Sequence, residues 1–146
     1  MNSINFTIIG RPQQRGSKVP VRTKDGRVFI RDANLKSKDW MTSVRQVAGE
    51  AWDGKSLITS PVRLSATFYF KRPKSHYRTA KGRTDELKGS APRLHAQSPD
   101  LAKLIRCLED ALTGVIWQDD KLVRLYAVCS REWTTESERA EVAIVW

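Results

Sequence analysis

Residues 62–70, VRLSATFYF, alternate without a break. Val62, Leu64, Ala66, Phe68 and Phe70 are separated by Arg63, Ser65, Thr67 and Tyr69. A period of two puts each set on its own face of a strand, so the segment predicts a half-buried strand opened by Pro61. Such a strand needs an apolar layer on one face. Two segments offer one. Residues 35–52 place Trp40, Val44, Val47, Ala48 and Ala51 on one side of a helix, stopped by Asp53-Gly54. Residues 99–113 place Leu101, Leu104, Ile105, Leu108, Ala111 and Leu112 on another, with Gly114 as the stop. Ser98 reads as the N-cap of that second helix, Pro99 as its first residue and Asp100 as a first-turn acid.

Three further strands complete the reading. INFTII is β-prone and ends at Gly10 and Pro12. LVRLYAVCSREW and RAEVAIVW follow the second helix, joined by the polar turn TTESE. The expected fold is α+β (mixed α/β), with one mostly antiparallel or mixed sheet and two main helices packed on it. One domain over residues 1–146 suits the length. No run approaches membrane-spanning length and no secretory pattern opens the chain. Cys107 and Cys129 fall in a predicted helix and strand and read as buried thiols, which points to a cytoplasmic protein. His76 and His95 stand in a loop with no zinc spacing around them.

The net charge is +10. A surplus of this size marks a polyanion partner, most often nucleic acid, and here it is unevenly spread. Residues 11–31 carry Arg11, Arg15, Lys18, Arg22, Lys24, Arg27 and Arg31 against Asp25, with KDG as a turn between short strands, and read as a basic arm or hairpin. Residues 71–97 form a second basic stretch, broken by Gly and Pro and expected to be a structureless loop. Lys71, Arg72 and Lys74 are candidates for phosphates there, with Lys103 on the second helix. His76 and Tyr77 offer faces to an unpaired base.

Against this charge stand Asp100, Asp119 and Asp120. Singly, an acid on a basic chain is a surface partner for Lys and Arg. Together, if the chain after Gly114 returns beside the helix, they form a carboxylate cluster that repels itself unless a cation offsets it. Mg²⁺, with Mn²⁺ as its substitute, prefers oxygen ligands and keeps waters for chemistry. In a nucleic-acid groove such a cluster implies metal-assisted phosphodiester hydrolysis. Arg106, on the polar flank of the helix, would steady the phosphate.

The stretch SPDLAKLIRCLEDALTGVIWQDDKLV resembles the signature of the RusA family of Holliday junction resolvases: an acidic P-D-L-D start, a mid-helix cation, D-A-L, a Gly, then a D-D pair before an apolar strand. GRPQQRG and FYFKRPKSHY agree with it, and the resemblance covers most of the chain. It implies a small homodimer that cuts four-way or other branched DNA with Mg²⁺. It places Asp100, Asp120 and the neighbouring Asp119 in the acidic site and puts the family's helical lysine at Arg106. An arginine keeps the charge but does not give up a proton, so an electrostatic role remains. The pattern departs at Ala102, where the family has its second aspartate. Another acid then serves, or the chain is an engineered inactive form, or it is a non-catalytic branched-DNA binding protein. Glu109 is the substitute, because i+7 returns to nearly the same helix face. It lies about 10 Å further along the axis, so it builds a shifted site. Asp110 is the alternative, but it matches the family's own D-A-L.

Overall fold

A computed structural model describes residues 1–146. Its elements are β1 (Ser3–Ile9), β2 (Lys18–Arg22), β3 (Val28–Asp32), α1 (Lys36–Trp52), β4 (Val62–Lys71), α2 (Leu101–Leu112), β5 (Val123–Thr134) and β6 (Arg139–Val145). The main sheet runs β1-β6-β4-β5, and β2 and β3 form a separate antiparallel pair. The sheet is mixed: β6 lies antiparallel to β1 and β4, and β4 lies parallel to β5. Parallel neighbours need a crossover, and the chain from Arg72 through α2 to Leu122 provides it.

The alternation of β4 appears directly in its packing. Val62, Leu64, Ala66, Phe68 and Phe70 are buried. They join α1 through Trp40, Val44 and Ala48, and α2 through Leu104, Leu108 and Leu112, in one cluster of 23 buried residues. The expected helix faces hold, with Val47, Ala51, Leu101 and Ile105 packed against the margin. Trp117 is fully buried, and its indole N–H donates to the Thr113 hydroxyl at 3.1 Å. Cys107 is buried and free, its thiol pushed up to about 12 by burial.

The start of α2 differs from expectation. The cap is Asp100, not Ser98: Asp100 has extended backbone, and its Oδ1 accepts from the amides of Ala102 at 2.9 Å and Lys103 at 3.3 Å. Ser98 and Pro99 precede the cap. Asp100→Ala is therefore expected to cost about 1 kcal/mol of stability, and Asp100→Asn less than about 0.5 kcal/mol, because asparagine caps nearly as well. Urea midpoints of the two variants measure the difference.

The basic arm is tied to α2 at its root. Arg15 Nε donates to Asp110 at 2.7 Å, and its Nη1 lies 3.3 Å from Asp32. The Asp32 carboxylate also accepts from the amides of Gly16 at 2.7 Å and Asn34 at 2.8 Å. A Cβ on Gly16 would collide with the Asn34 amide and the Asp32 carboxylate, so only glycine lets the chain close this knot.

The stretch 71–97 is not structureless, because its two histidines are core residues. His95 stacks on Trp133 with ring centroids 4.0 Å apart, and His76 meets the same indole edge-on at 5.1 Å. Arg72 lies over Trp133 and donates to the Pro92 carbonyl at 2.6 Å. Burial, then Arg131, holds the His95 imidazole below its ordinary value, with Arg11 acting the same way and Glu132 against it. The unfolded chain therefore binds this proton more readily than the folded one, so His95 contributes a stability that is full at neutral pH and falls as pH drops below about 6.5. His95→Phe is expected to flatten the decline of the urea midpoint between about pH 7 and about pH 5.

Candidate functional site

The parallel crossover decides where the acids lie. β4 and β5 run the same way, so α2 runs back between them. Its head lies beside the late part of β5, where Arg131 donates to the Pro99 carbonyl at 2.8 Å. Its tail lies beside the early part, where the Tyr126 hydroxyl donates to Glu109 at 2.6 Å. Nine residues of helix between Asp100 and Glu109 amount to about 13 Å along the axis. Within one chain Asp100, Asp119 and Asp120 do not gather as a three-carboxylate group of the kind expected. The helix that connects the parallel strands separates its own two ends. No three His, Cys, Asp or Glu side chains of one chain gather as a metal site.

What does gather is a smaller set at the tail of α2. Glu109 is 8% exposed, rare for a carboxylate. Burial raises its pKa; the Tyr126 hydroxyl opposes that, the charges of Asp120 and Asp110 add to it, and Arg106 acts against it. Asp120 begins a short 3₁₀ turn, Asp120–Leu122, and Asp119 caps that turn by accepting from the Lys121 amide at 2.9 Å. That amide bond first, with the Lys121 side chain, holds Asp119 below the usual carboxylate range. Glu109 is thus hydrogen-bonded to Tyr126, and the charges of Asp120, Asp110 and Arg106 act on it. Mg²⁺ in nucleotide chemistry is commonly held by one or two protein carboxylates, with phosphate oxygens and water completing the shell. Glu109 and Asp120 are residues of that chemical type at the tail of α2 and in the turn beyond it.

Arg106 also lines a groove with Arg15, Gly16, Ser17, Lys18, Lys103 and Asp110, which has a volume of about 250 Å³ and no apolar lining. The arm makes one wall and α2 the other. Lys103 and Arg106 are three residues apart and share a helix face. The groove is cationic, and the charge of Arg106 in its lining also acts on Glu109.

Other basic residues are partly committed within the chain. Arg11 pairs with Glu138 at 2.6 Å and lies over Phe70, and Arg15 holds Asp110 and Asp32. Arg72 is spent on Trp133 and Pro92. His76 is 6% exposed and touches Gln97, Arg72 and Trp133, which leaves no face for a base, so its stacking role is set aside. Tyr77 is half-buried and lines an open hollow with Lys74, Arg78, Thr79 and Thr84. Lys18, Arg22, Lys71 and Lys74 are exposed and form no ion pair. Sequence reasoning missed Tyr126, which looks like one more β-strand aromatic. It also missed Asp110 as the arm's anchor, which only the Arg15 contact reveals.

The two-layer α+β domain thus lays a cationic groove along α2, with Glu109 at the helix tail and Asp120 in the turn beyond it. The family model for "Endodeoxyribonuclease RusA" matches residues 9–145, and the chain belongs to that family. Membership implies a nuclease that resolves Holliday junctions, and nucleases of this family are generally dependent on a divalent metal. The chain is also 30% identical over 144 residues to the uncharacterized protein YqaN of Bacillus subtilis (strain 168), covering 99% of this chain and 96% of YqaN. No helix is long and apolar enough to cross a membrane.

Proposed function

We propose that this chain is a Mg²⁺-dependent, structure-selective endodeoxyribonuclease that resolves four-way or other branched DNA as a cytoplasmic homodimer. The reading is carried by one observation: Arg106 lines the cationic groove and lies three residues before the buried Glu109 on α2, a carboxyl on which the charges of Arg106 and Asp120 both act. A strand held in the groove by Lys18, Lys103 and Arg106 brings its phosphates to the carboxylates. Arg22, Lys71 and Lys74, exposed and unpaired, and the half-buried Tyr77 extend the basic surface, whereas Arg11, Arg15 and Arg72 are held by contacts within the chain. Arg106 offsets charge that builds on the phosphate, and it does so only electrostatically. Glu109, Asp120 and Asp119 provide the oxygen donors for Mg²⁺, which when bound supplies an activated water and charge neutralisation at the departing oxygen. Tyr126 holds Glu109 in place.

Asp100 enters from the second subunit. An acid at the head of α2 in one copy faces the Asp119-Asp120 turn of the partner, so each cutting centre draws on both chains. The edge strand β5 supports a dimer, with Leu125, Tyr126 and Val128 exposed on it. Two-fold symmetry then matches the near-symmetry of a junction.

A second reading is a branched-DNA binding protein without catalysis. Ala102, and the absence of a three-acid group within one chain, favour it. Ala102→Asp discriminates between the two. A large gain in nicking identifies a disabled resolvase, and unchanged nicking by an active protein identifies a working site built on Glu109.

A further inference from the structure

The hairpin of β2 and β3 carries a feature that phosphate contact does not use. Val28, Phe29 and Ile30 are consecutive and 58%, 48% and 70% exposed. Alternation puts Phe29 on one face, opposite Val21, and Val28 and Ile30 on the other, opposite Arg22 and Pro20. Both faces of a two-stranded ribbon are therefore apolar and open, and such a ribbon is marginal alone. It is also held out from the main sheet, with its root fixed by the Arg15, Asp32 and Asp110 contacts.

The charge around it selects the occupant. Lys18, Arg22, Lys24 and Arg31 are exposed and make no ion pair. The two acids are spoken for: Asp25 pairs with Arg27 at 3.2 Å, and Asp32 is enclosed in the root. A second hairpin of the same charge is repelled, whereas a polyanion with apolar faces of its own is attracted. Nucleic acid bases have that chemistry. Apolar side chains flanked by cations act in other DNA-binding proteins as wedges between base steps.

We propose that the hairpin is a wedge whose Phe29 stacks on a base at the branch point of the DNA. The inference rests on the DNA reading above and gives it a source of selectivity. Bases at a branch are the least costly to unstack, and in linear duplex the same insertion must break a stacked step. Phe29 therefore favours branched over linear DNA, and the cations set only the overall affinity.

The test uses the full-length protein in EDTA, a four-way junction with 2-aminopurine at the branch, and the matching linear duplex. Wild type is expected to raise the 2-aminopurine fluorescence as the branch base unstacks. Phe29→Ala is expected to lose that rise and to weaken junction binding about ten-fold, with duplex binding changed less than about two-fold. Phe29→Trp, which keeps an aromatic face, is expected to retain both. Wild-type behaviour of Phe29→Ala overturns the wedge alone. So does conversion of Phe29→Ala from dimer to monomer in sedimentation, which makes the hairpin a contact between copies. Failure of the wild type to bind either DNA overturns the DNA reading and the wedge with it.

Discussion

Asp120→Asn is expected to lower Mg²⁺-dependent nicking of a four-way junction by about 10²-fold to 10³-fold and to leave junction binding in EDTA within about two-fold of wild type. The substitution keeps the size and removes the charge. Asp120 is exposed at the start of a short turn whose cap is Asp119, so the fold does not depend on its carboxylate. Its negative charge helps to raise the pKa of Glu109, and in the proposed site its oxygens join those of Glu109. Asparagine offers one neutral oxygen in place of a charged one, and a hard divalent cation binds it less well. Phosphate affinity comes from the cations of the groove, which are untouched. A matched loss of binding and cutting would assign Asp120 to DNA contact, and undiminished cutting would remove it from the site.

Asp100→Asn and Asp120→Asn, each inactive alone, are expected to recover cutting when mixed. In one chain Asp100 caps the head of the crossover helix and Asp120 lies in the turn past its tail. If Asp100 of one subunit serves the Asp120 of the other, a heterodimer of the two variants has one centre with both acids and one with neither. Random re-association leaves about a quarter of the centres intact. If each centre belongs to one chain, no mixture contains an intact centre and no activity returns. Asp100→Asn is the proper partner because it keeps the helix cap, whereas Asp100→Ala confounds charge with stability. The products are single nicks, since each active heterodimer has one working centre.

The fold was legible where periodicity was strong. The alternation from Val62 to Phe70 and the stripe from Leu101 to Leu112 each admit one packing, and both pack that way. The RusA motif was equally legible, because it combines an acid, a cation and an acid pair at fixed intervals along one helix and turn. Relations set by chain direction were not legible. Nothing in the residues of β5 says that it runs parallel to β4, and that direction decides which end of α2 each part of β5 meets. Ser98 reads as the cap and Asp100 as a first-turn acid, yet serine and aspartate cap about equally well, and only the backbone decides between them. His76 and His95 read as loop residues because polar, glycine-rich neighbours mask two rings that pack on Trp133 from a distance in sequence. Glu109 sits on the buried side of α2 for a reason no helical wheel contains, the hydroxyl that Tyr126 brings from β5.

The central claim is that a divalent cation at the tail of α2 lets this basic fold cut branched DNA. The most direct measurement incubates the wild-type protein with an end-labelled four-way junction and with linear duplex of the same sequence, in Mg²⁺ and in EDTA, and maps the products on a denaturing gel. Paired nicks at symmetric positions in the junction, present in Mg²⁺, absent in EDTA and absent from the duplex, are the predicted result. A junction that is bound in Mg²⁺ yet stays whole, or one cut equally well in EDTA, would contradict the claim.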